Sequence, residues 1–378
     1  MAFEHYVYSG TEKLRRGFTT GTCAALAAKA AAIALLTGEE QTNVSLMTPA
    51  GLEVDVELSR MELGDGCATC GVFKDAGDDY DVTNGTEVTS TVALIERGVE
   101  IDGGHGVGRV TKPGLDQPVG NAAINSGPRK MIASEVMAVA EDLGYTGGFS
   151  VLVEIPDGAE LAAKTFNPHI GIEGGISVLG TSGIVEPRSL KALMDSLEVE
   201  IHACAASGSK RLIVTPGNYG ENFLSTMGLS EGIPTVKCAN FIGNTLDCIA
   251  REGFAEVLLV GHIGKMVKVA GGIMDTHSKV ADCRCEIFAA HAAFCGASQE
   301  TIARIFDAAT SDACLDILEE CGLRESVVER IIEAIQARLE HRVDGAYRIG
   351  CVVFTNRTGS LGMSDEGKAL VEEWKERQ

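Results

Sequence analysis

"RLIVTPGNYGENFLSTMGLSEGIPTVKCANFIGNTLDCIAREGFAEVLLVGHIG", Arg211 to Gly264, is the stretch that decides the fold. It reads as strand "RLIVTPG", helix "ENFLSTMGL", strand "PTVKCANF", helix "IGNTLDCIAREG" and strand "EVLLVGHIG". Strands alternating with helices predict a parallel sheet flanked by helices. Such a sheet takes ligands at the carboxyl ends of its strands, which here carry "TPGNYG", "CANFIGN" and "GHIGK". A long helical stretch follows. "RIGCVVFTNRTGSLGM" then returns as a late strand, with an antiparallel place at an edge open to it.

Upstream the pattern differs. "GFTTGTCAALAAKAAAIALL", Gly17 to Leu36, sets threonines and glycines ahead of an Ala-Leu helix that Thr22 can cap and Gly38 can end. The runs "NVSLMTPAGLEVDVELSRMEL" and "GTEVTSTVALIERGVEID" read as strands, "PRKMIASEVMAVAEDLGY" as a helix and "FSVLVEIPDG" as another strand. A glycine-studded crossing, "NPHIGIEGGISVLGTSGIV", leads to a boundary expected near residues 180 to 195. The expected fold is an α+β N-terminal half, 1–190, joined to an α/β C-terminal half, 191–378, with a mostly parallel, Rossmann-like sheet.

Charge and composition narrow the function. The chain has 378 residues, enough for two domains, and its 53 acidic against 32 basic residues give a net charge of −21. That balance excludes a broad surface for nucleic acid or an anionic membrane, so an anionic ligand must meet a local cationic cluster. The start "MAFEHYVYSGTEKLRRG" lacks the pattern of a signal peptide, and no apolar span is expected, so the chain reads as cytoplasmic. Twelve scattered cysteines read as reduced thiols. Cys67-x-x-Cys70 has zinc-ligand spacing, but no second pair follows at a useful distance, and no metal is assigned.

Four clusters carry chemistry. "DGGHGVGRVTKPGL" sets glycines beside His105, Arg109 and Lys112, yet its spacing departs from G-x-G-x-x-G and Pro113 blocks the helix a dinucleotide fold needs. A plain glycine turn between strands is its other reading. "VLLVGHIGKMVKVAGG" resembles a P-loop but has only two residues between Gly261 and Gly264, and Met266 where a Ser or Thr should bind magnesium. What survives there is a strand–loop–helix turn with His262 and Lys265 able to hold a polar ligand. "TPGNYGENF" offers Asn218 and Glu221 to hydroxyl groups and Tyr219 to a flat ring. "MDTHSKVADCRCEIFAAHAAF" places His277, Lys279, Asp282, Arg284 and His291 within about four helical turns, with His277 in a helix-start loop.

Taken in order, "RRGFTTGTCAALAAKAA", "GGHGVGRVTKPGL", "AINSGPRKMI", "NPHIGIEGGISVLGTSGIVEPRS", "GNYGENFL", "NFIGNTLD" and "GHIGKMVKVAGGIMDTHSKVADCRCEIFAAHAA" resemble the cobalt-precorrin-5B C(1)-methyltransferase family, from about Arg15 to about Phe294. The resemblance implies a cytoplasmic enzyme of the anaerobic cobalamin pathway that moves a methyl group from S-adenosyl-L-methionine to ring carbon 1 of a cobalt corrinoid, yielding cobalt-precorrin-6A. Cobalt belongs to the substrate. Arg188 in "GIVEPRS" departs from the Met expected there and has a basic role open to it.

On that basis the donor is expected on Gly217, Asn218, Gly220, Asn240, Gly243, Gly261 and Gly264. Asn240 stands where the usual donor fold has an acidic residue. The corrinoid's carboxylates are expected to meet Thr19, Thr20, Thr22, His105, Arg109, Lys112, Arg129, Lys265 and Lys279, with Arg15, Arg16, Lys130, Lys268 and Arg284 as further cations. Thr19 to Thr22 have close helix packing as their other reading. His277 is the expected catalytic group, Asp282 fixing its tautomer, with His262 next in line. A nucleotide-dependent oxidoreductase and a noncatalytic corrinoid carrier stay open beside the enzyme. So do a homo-oligomer and hand-over of the tetrapyrrole from neighbouring pathway enzymes.

Overall fold

A computed structural model of the chain describes residues 3–9, 11–165, 167–217, 219–229 and 232–377, and the chain divides into two compact units, Met1–Leu190 and Lys191–Gln378.

The first unit is built round an inner helix, α1 (Thr20–Thr37), which is apolar on every side and largely buried. Its alanines let backbones close in. A hairpin of β1 (Asn43–Met47) and β2 (Glu53–Glu57) follows. Then come β3 (Arg60–Leu63), β4 (Cys67–Phe73), β5 (Glu87–Ile95), β6 (Val99–Gly103), α2 (Ser126–Leu143) and β7 (Gly148–Glu154). The five strands form one sheet in the order β3-β4-β5-β7-β6. Only β6 and β7 pair in parallel, because α2 carries the chain back between them. Helix α1 packs against β4, β5 and α2, and the Ser90 hydroxyl on β5 donates to the Ala24 carbonyl at 2.9 Å.

Two expectations are corrected here. Helix α1 does have the length and composition of a membrane span, although 72% of it is buried against the unit's own sheet and second helix, as befits a core helix. Its cap is Thr19 rather than Thr22: the Thr19 hydroxyl accepts the Thr22 N–H, and Gly38 closes the other end at φ 71°.

The second unit opens with α3 (Leu190–Ala206), a helix the sequence reading passed over. β8 (Arg211–Thr215), α4 (Tyr219–Met227), β9 (Thr235–Lys237), α5 (Ile242–Glu252) and β10 (Glu256–His262) then alternate as expected. The helical stretch is broken: α6 (Ile263–Ala270) stops at Gly271-Gly272, residues 271–283 are not helical, and α7 (Arg284–Phe294) begins afterwards. Helices α8 (Gln299–Phe306), α9 (Ser311–Glu320) and α10 (Arg324–Val343), strands β11 (Arg348–Thr355) and β12 (Gly359–Met363), and α11 (Asp365–Glu376) complete the unit.

The sheet order is β9-β8-β10-β11-β12, parallel except for the last pair. "RIGCVVFTNRTGSLGM" therefore supplies two strands. Its first half is interior and parallel, buried from Ile349 onward under α10 and α11, and only its second half is the antiparallel edge. A run without alternation belongs to a strand covered on both faces. The unit is thus a mixed α/β layer around a mostly parallel five-stranded sheet.

Candidate active site

The sheet's connections reverse between β8 and β10. From β8 the chain crosses to β9 on one side, then returns past β8 to β10 on the other, which leaves a crevice at the carboxyl ends of these two strands. Three turns edge it. After β8, Gly217 takes φ 104°, and the fully buried Thr215 side chain has no partner for its Oγ1. After β9, Ala239 sits in the left-handed region at φ 50°, strain that L-residues accept only where the surroundings impose it. After β10, Lys265 in the first turn of α6 donates from Nζ to the Ala239 carbonyl at 2.9 Å. Cys238 beside it is buried, which pushes its thiol up to about 12 and keeps it protonated.

Residues 274–276 run along this edge. Gly243 N–H donates to the Met274 carbonyl at 3.2 Å, Thr276 N–H to the Asn240 carbonyl at 2.9 Å, and the Thr276 hydroxyl to Asn240 Oδ1 at 3.3 Å. Lys268 fixes the rest of that loop. Its buried ammonium donates to the Thr276 carbonyl at 3.1 Å and the Ala281 carbonyl at 2.8 Å, which removes Lys268 from the cations available to a ligand.

Both candidate histidines use Nδ1 in the same way. His262 Nδ1 accepts the Gly264 N–H at 3.1 Å and caps α6, and the exposed His277 accepts the Lys279 N–H at 3.0 Å. With Nδ1 accepting, each neutral ring carries its proton on Nε2. Burial pushes the His262 pKa below its ordinary value, against the opposing pull of Asp312. Asp312 in turn accepts the Thr355 hydroxyl at 2.6 Å, and the ring stands edge-on to Phe354.

The expected His277–Asp282 pair does not form. Asp282 is held by Arg284 at 2.5 and 2.9 Å, which draws its pKa down, and lies 3.8 Å from Lys268. A bidentate guanidinium two residues away outcompetes an imidazole five residues away whose Nδ1 is already engaged. Nor do these groups share a helix, since His277 and Lys279 lie exposed in the loop before α7.

The donor-site glycines mostly answer to the chain itself. A Cβ on Gly220 would fall 2.6 Å from Thr215 Cβ, one on Gly243 2.8 Å from Met274 Cβ, and one on Gly261 2.6 Å from Met266 Sδ. Gly264 is looser, its nearest neighbour being the His262 ring at 3.3 Å. Asn218 lies outside the described residues, as do the side chains of Tyr219 and Glu221.

In the first unit, Thr19, Thr20 and Thr22 are buried and committed. Thr20 Oγ1 accepts the Leu179 N–H at 3.0 Å and Thr22 Oγ1 donates to the Gly183 carbonyl at 2.7 Å. What crowds this helix start is Pro128, 2.6 Å from a Cβ on Gly21, and the Leu179 carbonyl, so packing replaces the expected ligand contact. The glycine loop after β6 is likewise filled from within, a Cβ on Gly106 meeting the Ile155 carbonyl at 1.8 Å.

Several expected cations are also spent internally. Arg109 grips Asp102 at 2.8 and 3.0 Å, Arg15 pairs with Asp75, Arg16 with Glu186, and Arg188 with Glu12 rather than with a ligand. Arg129 is different. It is half-buried, donates only to the Ile124 and Ile101 carbonyls at 2.8 and 2.7 Å, and burial lowers its pKa. His105, Lys112 and Lys130 are exposed. Cys67 and Cys70 lie three apart on strand β4, where odd spacing points them to opposite faces, so they cannot share a zinc ion.

Fold and crevice define an α/β protein of the kind that holds ligands where a parallel sheet reverses. The chain belongs to the CbiD family: the family's models match residues 7–187 as CbiD and residues 275–365 as CbiD, C-terminal domain. It is 46% identical over 359 residues, 95% of this chain and 93% of the other, to a protein of Ruminiclostridium cellulolyticum named cobalt-precorrin-5B C(1)-methyltransferase. A protein of the same name from Alkaliphilus metalliredigens is 40% identical over 98% of this chain and 97% of its own. A crystal structure described as cobalamin biosynthesis protein CbiD from Archaeoglobus fulgidus is 30% identical, covers 73% of this chain and 86% of that one, and has a TM-score of 0.39. The reversal crevice, residues 211–270, falls between the two family-model matches but within the length shared with the curated relatives.

Proposed function

We propose that the chain is a C-methyltransferase that moves the methyl group of S-adenosyl-L-methionine to ring carbon 1 of cobalt-precorrin-5B, giving cobalt-precorrin-6A in anaerobic cobalamin biosynthesis. The observation that carries this reading is 46% identity along 95% of the chain with a protein of that name. The donor is assigned to the crevice between β8 and β10, whose turns include Gly217, Asn240 and Lys265.

The chemistry asks little covalent help. A ring carbon supplies the electron pair for the new C–CH3 bond, the S–CH3 bond breaks, and its pair stays on sulfur as S-adenosylhomocysteine forms. The protein's part is in-line positioning and exclusion of water. With Nδ1 of His277 accepting the Lys279 N–H, His277 serves as an Nε2–H donor that orients the ring. A base at that nitrogen would require the other tautomer. Each unit has cations that hold no carboxylate among the described residues: Arg129 and Lys112 in the first, Lys265 and Lys279 in the second.

The test is single-turnover incubation of the full chain with cobalt-precorrin-5B and S-adenosylmethionine. Ring methylation in step with S-adenosylhomocysteine supports the reading. Binding of NADPH or of the corrinoid with no methyl transfer would overturn it in favour of an oxidoreductase or a carrier.

A further inference from the structure

Lys265 lies where the sheet order turns back on itself. It enters from the first turn of α6, yet its Nζ reaches the turn after β8, lying 3.3 Å from where a Cβ on Gly217 would stand, and donates to the Ala239 carbonyl at the end of β9. One side chain thus links all three strand ends that edge the crevice. An ammonium has three donors, and this one spends a single bond, on a neutral carbonyl. Half-buried, it has no carboxylate partner among the described residues. Several arginines of the same unit behave otherwise: Arg284 holds Asp282, Arg342 holds Asp247, and Arg348 holds Glu366 and Glu373.

The chain has 21 more acids than bases, and this half-buried cation is nonetheless left without one among the described residues. Burial lowers its pKa, and only the two neighbours Cys238 and Lys268 act on it further, in opposite senses. Two further observations mark the same turn. Thr215, at the end of β8, keeps a fully buried hydroxyl with no partner among the described residues, which costs free energy that packing alone does not require. Gly217 and Ala239, flanking the ammonium, both hold positive φ. The strand ends are shaped and charged for a compact anion at the reversal point.

We propose that Lys265 is a carboxylate anchor in the crevice, taking the α-carboxylate of the methyl donor's amino-acid moiety, with the Gly217 turn kept free of a side chain to admit it. This rests on the methyl-transfer reading above. A side-chain carboxylate of the tetrapyrrole has the same chemistry, and the test separates the two sources.

The experiment is calorimetric titration of the full chain with S-adenosylhomocysteine, with 5′-methylthioadenosine, which lacks the amino-acid moiety, and with cobyrinic acid, a corrinoid bearing free carboxylates. Lys265→Met keeps the stem and removes the charge. Gly217→Ala keeps the charge but puts a methyl group against Nζ and strains a backbone held at φ 104°, so its near-ultraviolet dichroism is compared with the parent's. Each variant should weaken S-adenosylhomocysteine by about tenfold or more, the scale of one charge-assisted hydrogen bond, and leave 5′-methylthioadenosine within about twofold. Lys265→Arg should restore part of the loss. If cobyrinic acid alone is weakened, the carboxylate is the tetrapyrrole's and the donor assignment is overturned. If neither ligand is weakened in a variant with unchanged near-ultraviolet dichroism, the anchor itself is overturned. A parent protein that binds no S-adenosylhomocysteine refutes the donor reading instead, and the cobyrinic acid titration then decides Lys265 by itself.

Discussion

Lys268→Met should free the His277 loop while leaving most of the fold in place. In the parent, a side chain only 3% exposed donates to the carbonyls of Thr276 and Ala281, pinning both ends of the turn that carries His277. A hydrogen bond from a charged donor contributes about 1.5–3 kcal/mol, so the two together hold the loop with about 3–6 kcal/mol. Methionine fills the same stem volume without a donor. Two outcomes then compete: the loop stays and carries unsatisfied carbonyls, or it lifts and hydrates them. Residues 277–280 are exposed, so lifting is the cheaper course. Loss of burial cost for the lysine also offsets part of the change in global stability, which should fall by about 1–2 kcal/mol.

The local effect should be larger. Hydrogen exchange at the Val280 and Ala281 amides, both bonded to the His277 carbonyl, should accelerate by about 100-fold, the equivalent of about 3 kcal/mol in opening free energy. Exchange there within about threefold of the parent, with a urea midpoint unchanged, would refute the claim that Lys268 holds this loop.

Gly21→Ala should destabilise by about 1–2 kcal/mol in urea unfolding: the new Cβ would fall 2.6 Å from Pro128 Cγ, and overpacking of this kind outweighs the ~1 kcal/mol that alanine gains over glycine in a helix. A more stable variant would sink the packing account of the α1 start. His262 should titrate below the ordinary histidine value of about 6.5 by proton NMR, since burial disfavours its cation and protonation would cost α6 its cap. The unfolded chain takes up that proton first, so the stability this histidine contributes is complete above about pH 6.5 and is lost as pH falls through the folded pKa. His291 is depressed by burial and by Arg330 in the same sense, so the comparison that isolates His262 is His262→Asn, which should flatten the decline below about pH 6.5. His277→Ala should slow single-turnover methylation by about 100-fold while changing stability by less than about 1 kcal/mol, and a rate within about threefold of the parent would make His277 structural.

The fold of the second unit was legible because its strands are short apolar runs set between turn residues, β10 being buried from Glu256 to Gly261. Helix α3 escaped because little of it is inside: only Leu197 and Ile201 are buried, so its apolar positions do not form a clear stripe. The break after α6 was signalled by Gly271-Gly272, yet the polar run from Asp275 to Asp282 reads equally well as a helical face. For the site, one-dimensional reading named candidate turns and could not choose partners. Arg109 and Lys265 looked alike as cations in glycine loops. Only the folded chain shows the first gripping Asp102 and the second with no acid to hold. Asp312 and Thr355, which flank His262, come from a helix and a strand distant in sequence and carry no motif.

Glycine is the sharpest case of this ambiguity. A glycine beside a ligand and a glycine beside a neighbouring backbone obey one rule, that no Cβ fits, so sequence reports the constraint without naming its cause. At Gly21, Gly106, Gly220, Gly243 and Gly261 the cause is inside the chain, since a built Cβ meets protein atoms closer than 3.0 Å. At Gly217 the nearest atoms among the described residues belong to the Lys265 side chain, at 3.3 and 3.8 Å, and φ is 104°. That glycine opens onto a cation rather than onto packed backbone. Of the glycines first assigned to the methyl donor, Gly217 and Gly264 are therefore the two at which a Cβ would meet nothing closer than 3.3 Å among the described residues, and at Gly217 the φ of 104° still favours glycine. The same reasoning sorts the cations: those with an acid in hand stabilise the unit they sit in, and Lys265, which holds none among the described residues, lies at the strand ends where a parallel sheet takes its ligand.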